Sequence, residues 1–346
     1  MEIIDGFERG VNLGGWLAQY GKYDHQHFNT FITKEDITQI SDWGMDHVRI
    51  PIDYRVIEND EKPYCYQESG LNYIDNCLSW CQEKKLNVVL DLHRAPGYSF
   101  DATEEKNTLF SSNEAQLRLI ALWETIINRY SNQKGLRIIF ELLNEIVLPS
   151  SAPWNILARK LYNAIRAINK SATIMVGGNE WNSVGTIKEI DLFDDPNVLY
   201  TFHFYEPLLF THQKAYWTDD IKLFDKELTY PGIITGLETY LEQYPQFRKR
   251  LGRYIGLVMN ENGIRKDLEP AIQFSRQTQK PLYCGEFGVI DRAPKDSSVM
   301  WYRDIIRIFR EYKIGYACWS YKNMDFGLVD SDSHVIHKEL INIICK

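Results

Sequence analysis

Two segments far apart in the chain, Leu142-Leu143-Asn144-Glu145 and Gly285-Glu286-Phe287-Gly288, each set a glutamate just after an apolar, strand-like run. Breaking a glycosidic bond needs one carboxylic acid to protonate the departing oxygen. It also needs one carboxylate to attack, or stabilise, the oxocarbenium-like carbon. Two glutamates facing each other across a cleft would supply both. Other reactive residue types gather at similar places: Arg49, His93, Asn144, Trp181, Asn182, His203, Tyr205 and Trp319 all lie at or just beyond the ends of apolar runs.

Eight such runs read as strands: Arg9 to Leu13, Asp46 to Ile50, Asn87 to Leu92, Arg137 to Leu142, Thr173 to Gly178, Asn197 to Phe204, Pro281 to Gly285, and Ile314 to Trp319. Between them lie stretches with helical period: Leu71, Ile74, Leu78 and Cys81; Leu119, Trp123, Ile126, Ile127 and Tyr130; Leu157, Leu161, Ala164, Ile165 and Ile168; Trp301, Ile305, Ile308, Phe309 and Tyr312. Strand and helix alternate, which predicts parallel pairing, and eight such units close into a (β/α)8 TIM barrel. Barrel enzymes keep their chemistry at the carboxyl ends of the strands, where the reactive residues fall. One interval breaks the rhythm: about eighty residues separate the sixth strand from the seventh. A small subdomain inserted over about 207–278 is expected there, carrying Phe210, Tyr216, Trp217 and Tyr230 and a helix around Ile233 to Tyr244, and lining the active-site cleft.

The 346 residues suit a single barrel domain spanning 1–346, with no repeat, Pro/Ser linker or low-complexity tract to mark an appended module. A chain of this size buries roughly 75% of its unfolded surface and needs no staples. The formal net charge of −8 argues against a nucleic-acid partner, which clustered Lys and Arg would have to hold. The six cysteines (Cys65, Cys77, Cys81, Cys284, Cys318, Cys345) show neither C-x-x-C spacing nor a disulfide framework. Cys77 and Cys81 read as core thiols one helical turn apart. His25 and His27 form an H-x-H without a nearby acidic cluster and read as surface histidines, so neither metal nor cofactor is expected. The amino terminus, Met1 to Gly6, lacks the basic stretch and apolar run of a signal peptide, and no segment is long enough to cross a membrane. The chain as written reads as a cytoplasmic monomer, although a secreted protein whose leader had been removed would read identically.

Arg9-Gly10-Val11-Asn12-Leu13-Gly14-Gly15-Trp16, Val48-Arg49-Ile50-Pro51, Asp91-Leu92-His93, the Leu-Asn-Glu ending at Glu145, His203-Phe204-Tyr205, Gly285-Glu286-Phe287-Gly288 and Trp319 resemble, in order, the motifs of glycoside hydrolase family 5. The resemblance covers nearly the whole chain and is greatest to compact clostridial-type members. It implies that Glu145 is the acid/base and Glu286 the nucleophile of a retaining reaction. By the same resemblance Arg49 and Tyr205 lie near the nucleophile, Asn144 donates to the sugar 2-hydroxyl, and His93 and His203 bond around the reacting sugar. Trp319 offers a flat surface to a pyranose, and Trp181 and Asn182 lie near the barrel mouth. Glu141, on the inward face of the fourth strand, should pair with a base, and Glu180 reads as a rim residue. Many family members carry a second histidine after the one on the third strand. Here that position is Arg94, which alters the charge near the non-reducing subsites.

The implied activity is an endo-β-1,4-glucanase on soluble β-glucans, with mixed-linkage glucan and glucomannan as further substrates. A β-mannanase or an exo-β-1,3-glucanase is the nearest alternative, because loops and aromatic placement read linkage. A metal-dependent barrel hydrolase would need converging His and Asp ligands. A carbohydrate-binding protein without turnover would not need both glutamates.

Overall fold

The computed structural model describes residues 3–101 and 107–345; Met1 and Glu2 of the amino terminus considered above lie outside them. Eight parallel strands close into a barrel: β1 (Arg9–Asn12), β2 (His47–Asp53), β3 (Asn87–Arg94), β4 (Ile138–Glu141), β5 (Thr173–Gly177), β6 (Val198–Phe204), β7 (Leu282–Phe287) and β8 (Gly315–Cys318). Each pairs with its neighbours in sequence, and β1 pairs with β8 to close the ring. All eight expected strands are present, with ends displaced by a few residues.

The helices α1 (Lys34–Asp42), α2 (Glu68–Lys84), α3 (Asn113–Tyr130), α4 (Ala152–Ile168), α5 (Glu261–Thr278), α6 (Lys295–Glu311) and α7 (Lys338–Cys345) surround the barrel. Their apolar faces and the outward strand residues form one continuous core. A second, smaller cluster fills the barrel's inside: Val89, Ile139, Met175, Leu199, Tyr283 and Ala317, one from each of β3 to β8, floored by Phe7. Side chains alternate along a strand, so the next inward position on β3 and β4 is Asp91 and Glu141, and His93 follows on β3. The barrel is thus apolar at its base and becomes charged toward its carboxyl end.

Two expectations need correction. The alternation lapses after β5, where only a four-residue turn, Asn179–Asn182, and a short 3-10 segment, Val184–Glu189, precede β6; the latter packs against α5. The stretch read as an insertion over about 207–278 also divides, because Glu261–Thr278 is a barrel helix, α5. Residues 207–260 hold short elements, among them helices Asp219–Phe224 and Leu237–Gln243 and a strand pair, Gly232–Ile233 with Val258–Met259. The helix expected from Ile233 begins only at Leu237. The β-branched run Ile233-Ile234-Thr235 favours extended backbone, and Gly236, left-handed at φ 73°, turns the chain into the helix. Phe210, Ile221, Tyr230, Leu241 and Tyr254 belong to the same continuous core as the barrel helices, so this stretch has no core of its own among the described residues.

Candidate active site

Arg49 lies fully buried at the barrel's centre and touches four strands. Its Nε and Nη2 donate to the two carboxylate oxygens of Glu141 at 2.7 and 3.1 Å, Nη2 also meets Asp91 at 3.0 Å and Asn144 Oδ1 at 2.9 Å, and Nη1 donates to Asn12 Oδ1 at 2.8 Å and Glu286 Oε1 at 2.9 Å. Glu141 therefore pairs with a base inside the barrel, as its strand face predicts. One guanidinium shared among three carboxylates cannot offset all their burial. Burial holds Asp91 and Glu141 up to about 7 against the pull of Arg49, so this layer retains protons near neutral pH.

Glu286 reaches the site through an irregularity. Tyr283 points into the barrel, and simple alternation would turn Glu286 away from it. The register between β7 and β6 slips between Cys284 and Glu286, and this bulge at Gly285 restores Glu286 to the inner face. Asn12 Nδ2 donates to the Gly285 carbonyl at 2.9 Å, and a Cβ on Gly285 would stand 3.0 Å from His203 Nε2 and Thr201 Oγ1. Glu286 then accepts from Arg49 and, at 3.0 Å, from the Tyr205 hydroxyl.

Glu145 faces it from the segment after β4. Its backbone is left-handed at φ 42°, a conformation that costs a side-chain-bearing residue of order 1–3 kcal/mol and persists only where surroundings enforce it. Its Oε1 lies 2.8 Å from His203 Nδ1, which in turn is 3.6 Å from Glu286 Oε2. One oxygen of Glu145 and one of Glu286 are within 4.8 Å of each other. Burial, then the charge of Glu286, pushes the Glu145 carboxyl well above the ordinary range. Burial raises Glu286 too, but Arg49 and the Tyr205 hydrogen bond pull against it. Among the described residues no cation bonds Glu145, whereas Arg49 bonds Glu286 directly, so the proton belongs on Glu145.

The flanking residues present groups that have no hydrogen-bond partner among the described residues. Asn144 Oδ1 is committed to Arg49, and its buried Nδ2 has no partner. His93 Nδ1 bonds Asp91 at 2.7 Å, its Nε2 is buried without a partner, and burial lowers its pKa to about 4, so the ring is neutral. Its face stacks on Trp319, 5.9 Å between centroids and 8° from parallel; Trp319 is 6% exposed. His203 is likewise held neutral by burial, its Nε2 3.3 Å from Asn182 Nδ2. Trp181 is 52% exposed at the rim beside Glu180. Arg94 ends β3 and is buried.

All ten candidate residues except Trp181 are thus tied into one network or its immediate walls. His25 and His27 stand apart, bonded to Tyr73 and to the Gly15 carbonyl. Glu145, His203 and Glu286 lie close enough to share a cation, but one would have to displace the His203–Glu145 bond and compete with Arg49 and Tyr205 for Glu286. Sequence reasoning assigned no part to Asn12 or Asp91, although both lie within the quoted motifs. The shared face of Asp91 and His93, two residues apart, was the available signal.

The cellulase family model, glycosyl hydrolase family 5, matches residues 8–325. The chain is similar to endoglucanase C of Acetivibrio thermocellus, 42% identical over 340 residues and 98% of each chain. It is also similar to cellodextrinase A of Ruminococcus flavefaciens, 34% identical over 90% of this chain and 85% of that one. The structure of Thermotoga maritima Cel5A in complex with cellobiose superposes with a TM-score of 0.77 over 98% of this chain and 97% of that one, and at 22% identity this likeness bears on the fold. A match of this extent, on a barrel whose carboxyl face carries two facing glutamates, places the chain in glycosyl hydrolase family 5: it is a glycoside hydrolase with a polysaccharide substrate.

Proposed function

We propose that the protein is a retaining endo-β-1,4-glucanase that hydrolyses soluble β-glucans by double displacement, with Glu145 as acid/base and Glu286 as nucleophile. The observation that carries the mechanism is the pair of carboxylate oxygens within 4.8 Å, of which, among the described residues, only that of Glu286 is held by a cation. Retaining pairs stand about 5 to 5.5 Å apart, whereas inverting pairs leave room for a water at about 6.5 to 9.5 Å. The similarity to endoglucanase C along 98% of both chains supports the substrate.

In the first step Glu286 attacks the anomeric carbon as the bond from that carbon to the leaving oxygen breaks, and Glu145 gives its proton to that oxygen. Arg49 and Tyr205 keep the attacking carboxylate charged. In the second step Glu145 takes a proton from water, the water oxygen bonds the anomeric carbon, and Glu286 is released. Asn144 Nδ2 supplies a donor for the 2-hydroxyl, a contact that strengthens in the transition state. His93 Nε2, neutral and unpaired, accepts from a sugar hydroxyl, and Trp319 and Trp181 offer aromatic faces to pyranose rings. The segment after β6 sets His212 against Tyr205 at 4.9 Å and Trp217 against His212 at 6.0 Å, which supports its role as a cleft wall beside the nucleophile.

The test is reducing-end release and product length on carboxymethyl-cellulose, barley β-glucan, glucomannan, mannan and laminarin, with Glu286→Ala beside the native protein. Mixed-length oligomers from β-1,4-glucans, lost in the variant, are expected. Residual activity within tenfold would refute the nucleophile; monomer from laminarin alone would move the enzyme to exo-β-1,3 action; no release from any glucan would leave a binding protein.

A further inference from the structure

The strained backbone at Glu145 needs something to enforce it. Residues 142–148 belong to neither strand nor helix; the Leu142 and Asn144 amides still bond to the Met175 and Leu92 carbonyls of β5 and β3, but beyond them the chain leaves the sheet and its polar backbone groups need other partners. Two buried side chains take the groups of Glu145, Val147 and Leu148. The Tyr98 hydroxyl donates to the Glu145 carbonyl at 2.7 Å and accepts from the Val147 amide at 2.8 Å, so one phenol spans the turn and uses both its donor and an acceptor position. From the opposite side, Asn179 Oδ1 accepts from the Leu148 amide and Nδ2 donates to the Leu148 carbonyl, both at 2.9 Å. Between them, the Trp181 amide donates to the Ile146 carbonyl at 3.1 Å.

Both side chains are themselves well anchored. Ala95-Pro96-Gly97-Tyr98 follows β3 with the Tyr98 amide bonded to the Ala95 carbonyl at 2.9 Å and Gly97 at φ 71°. Proline then glycine at these positions is the signature of a type II turn. A Cβ on Gly97 would stand 2.6 Å from Thr108 Oγ1, so the turn is closed to larger residues. Tyr98 is 2% exposed, its ring edge-on to Phe110 at 5.5 Å. Asn179 is buried at the end of β5, its own carbonyl accepting from Thr186 Oγ1 at 2.7 Å.

We propose that Tyr98 and Asn179 are positioning residues for the acid/base: they clamp the turn 145–148 from the loops after β3 and β5, and so hold the Glu145 carboxyl over the barrel mouth opposite Glu286. The proposal rests on the reading of Glu145 as acid/base. Neither side chain hydrogen-bonds Glu286, Arg49 or His203, so loosening the clamp acts on proton delivery and spares the nucleophile.

The experiment measures kcat/KM on 2,4-dinitrophenyl, 4-nitrophenyl and phenyl β-cellobiosides for the native protein, Tyr98→Phe, Asn179→Asp and Glu145→Ala, with a thermal melt of each. A leaving group that departs without a proton needs no acid. Tyr98→Phe should therefore lose about 30-fold on the phenyl glycoside, a fraction of what general acid catalysis supplies, and less than about threefold on the dinitrophenyl one. The alkaline limb of its pH profile should move as well. Equal losses on all three substrates would overturn the proposal, since a merely structural role predicts that; so would no loss on any. Should Tyr98→Phe fail to melt cooperatively, Asn179→Asp, which keeps the side chain's volume and forfeits one hydrogen bond, is judged by the same criteria. Glu145→Ala separates the two readings. If it lacks leaving-group dependence, the acid/base assignment falls and the clamp with it; if it has the dependence and both other variants lack it, the clamp alone falls.

Discussion

Glu145 and Glu286 are the same residue type, and their neighbours make them different. Glu286 accepts from a guanidinium and a phenol, whereas Glu145 meets one neutral imidazole. Burial comes first among the causes that raise Glu145, and the charge of Glu286 second. A carboxyl raised in this way stays protonated at neutral pH and loses its proton only as pH climbs through the raised value, so the alkaline limb of a bell-shaped rate profile should report Glu145. Esterifying Glu286 removes its charge, so the pKa of Glu145 should fall in the glycosyl-enzyme, leaving a base for the second step. Trapping with a 2-deoxy-2-fluoro cellobioside and following 13C-labelled glutamate by NMR would measure this; an unmoved Glu145 signal would refute the electrostatic coupling. In Glu145→Ala, azide should restore turnover of dinitrophenyl cellobioside and yield the β-azide, and an α-azide would point to single displacement.

Among the elements, the strands place residues by parity and the loops place them by strain. β7 needs a bulge to bring Glu286 inward, and the loop after β5 carries three successive left-handed residues, Glu180, Trp181 and Asn182, the last against His203. Strain remote from the site has no such use. α2 ends in a Schellman arrangement, with Leu86 N–H bonded to the Cys81 carbonyl and Lys85 N–H to that of Gln82, and with Lys85 left-handed at φ 58°. That position favours glycine. Lys85→Gly should stabilise the protein by about 1 kcal/mol without altering kcat, as read by chemical denaturation and assay. A loss of stability would mean that the lysine side chain contributes more than the strain costs.

At the scale of the whole molecule, closing the barrel depends on its base. Asp46 accepts from the amides of Glu8 and Arg9 and bonds His47 at 2.6 Å, while His47 reaches the Tyr283 hydroxyl across the barrel at 2.6 Å. Burial opposes the charge on Asp46, but the His47 hydrogen bond and charge, with the Arg9 amide, hold its pKa below the ordinary value. A depressed carboxyl contributes stability above its unfolded pKa and loses it as pH falls through the folded one. Asp46→Asn should therefore be less stable than the native protein at pH 7, with the difference shrinking as the medium is acidified below the ordinary aspartate range. Denaturation midpoints across pH would show it, and a pH-independent difference would assign the effect to packing.

Much was legible in the residues themselves. Eight apolar runs with helical stretches between them predict the barrel, because strand burial and helix amphipathicity are local consequences of side-chain type and period. The motifs at strand ends point to Glu145, Glu286, Arg49, His93, Asn144, His203, Tyr205 and Trp319, because a barrel gathers its strand ends on one face. The 3-10 segment after β5, the late start of the helix at Leu237 and the bulge at Gly285 were not legible, since each depends on what packs against the chain there. Tyr98 and Asn179 left no mark beyond a Pro-Gly turn and a lone asparagine. Composition and order are written along the chain; they determined the family and pointed to the two carboxylates. Which carboxylate keeps the proton, and what holds it in place, was decided only when closure of the barrel brought Arg49, Tyr98 and Asn179 to groups that sequence separates by tens or hundreds of residues.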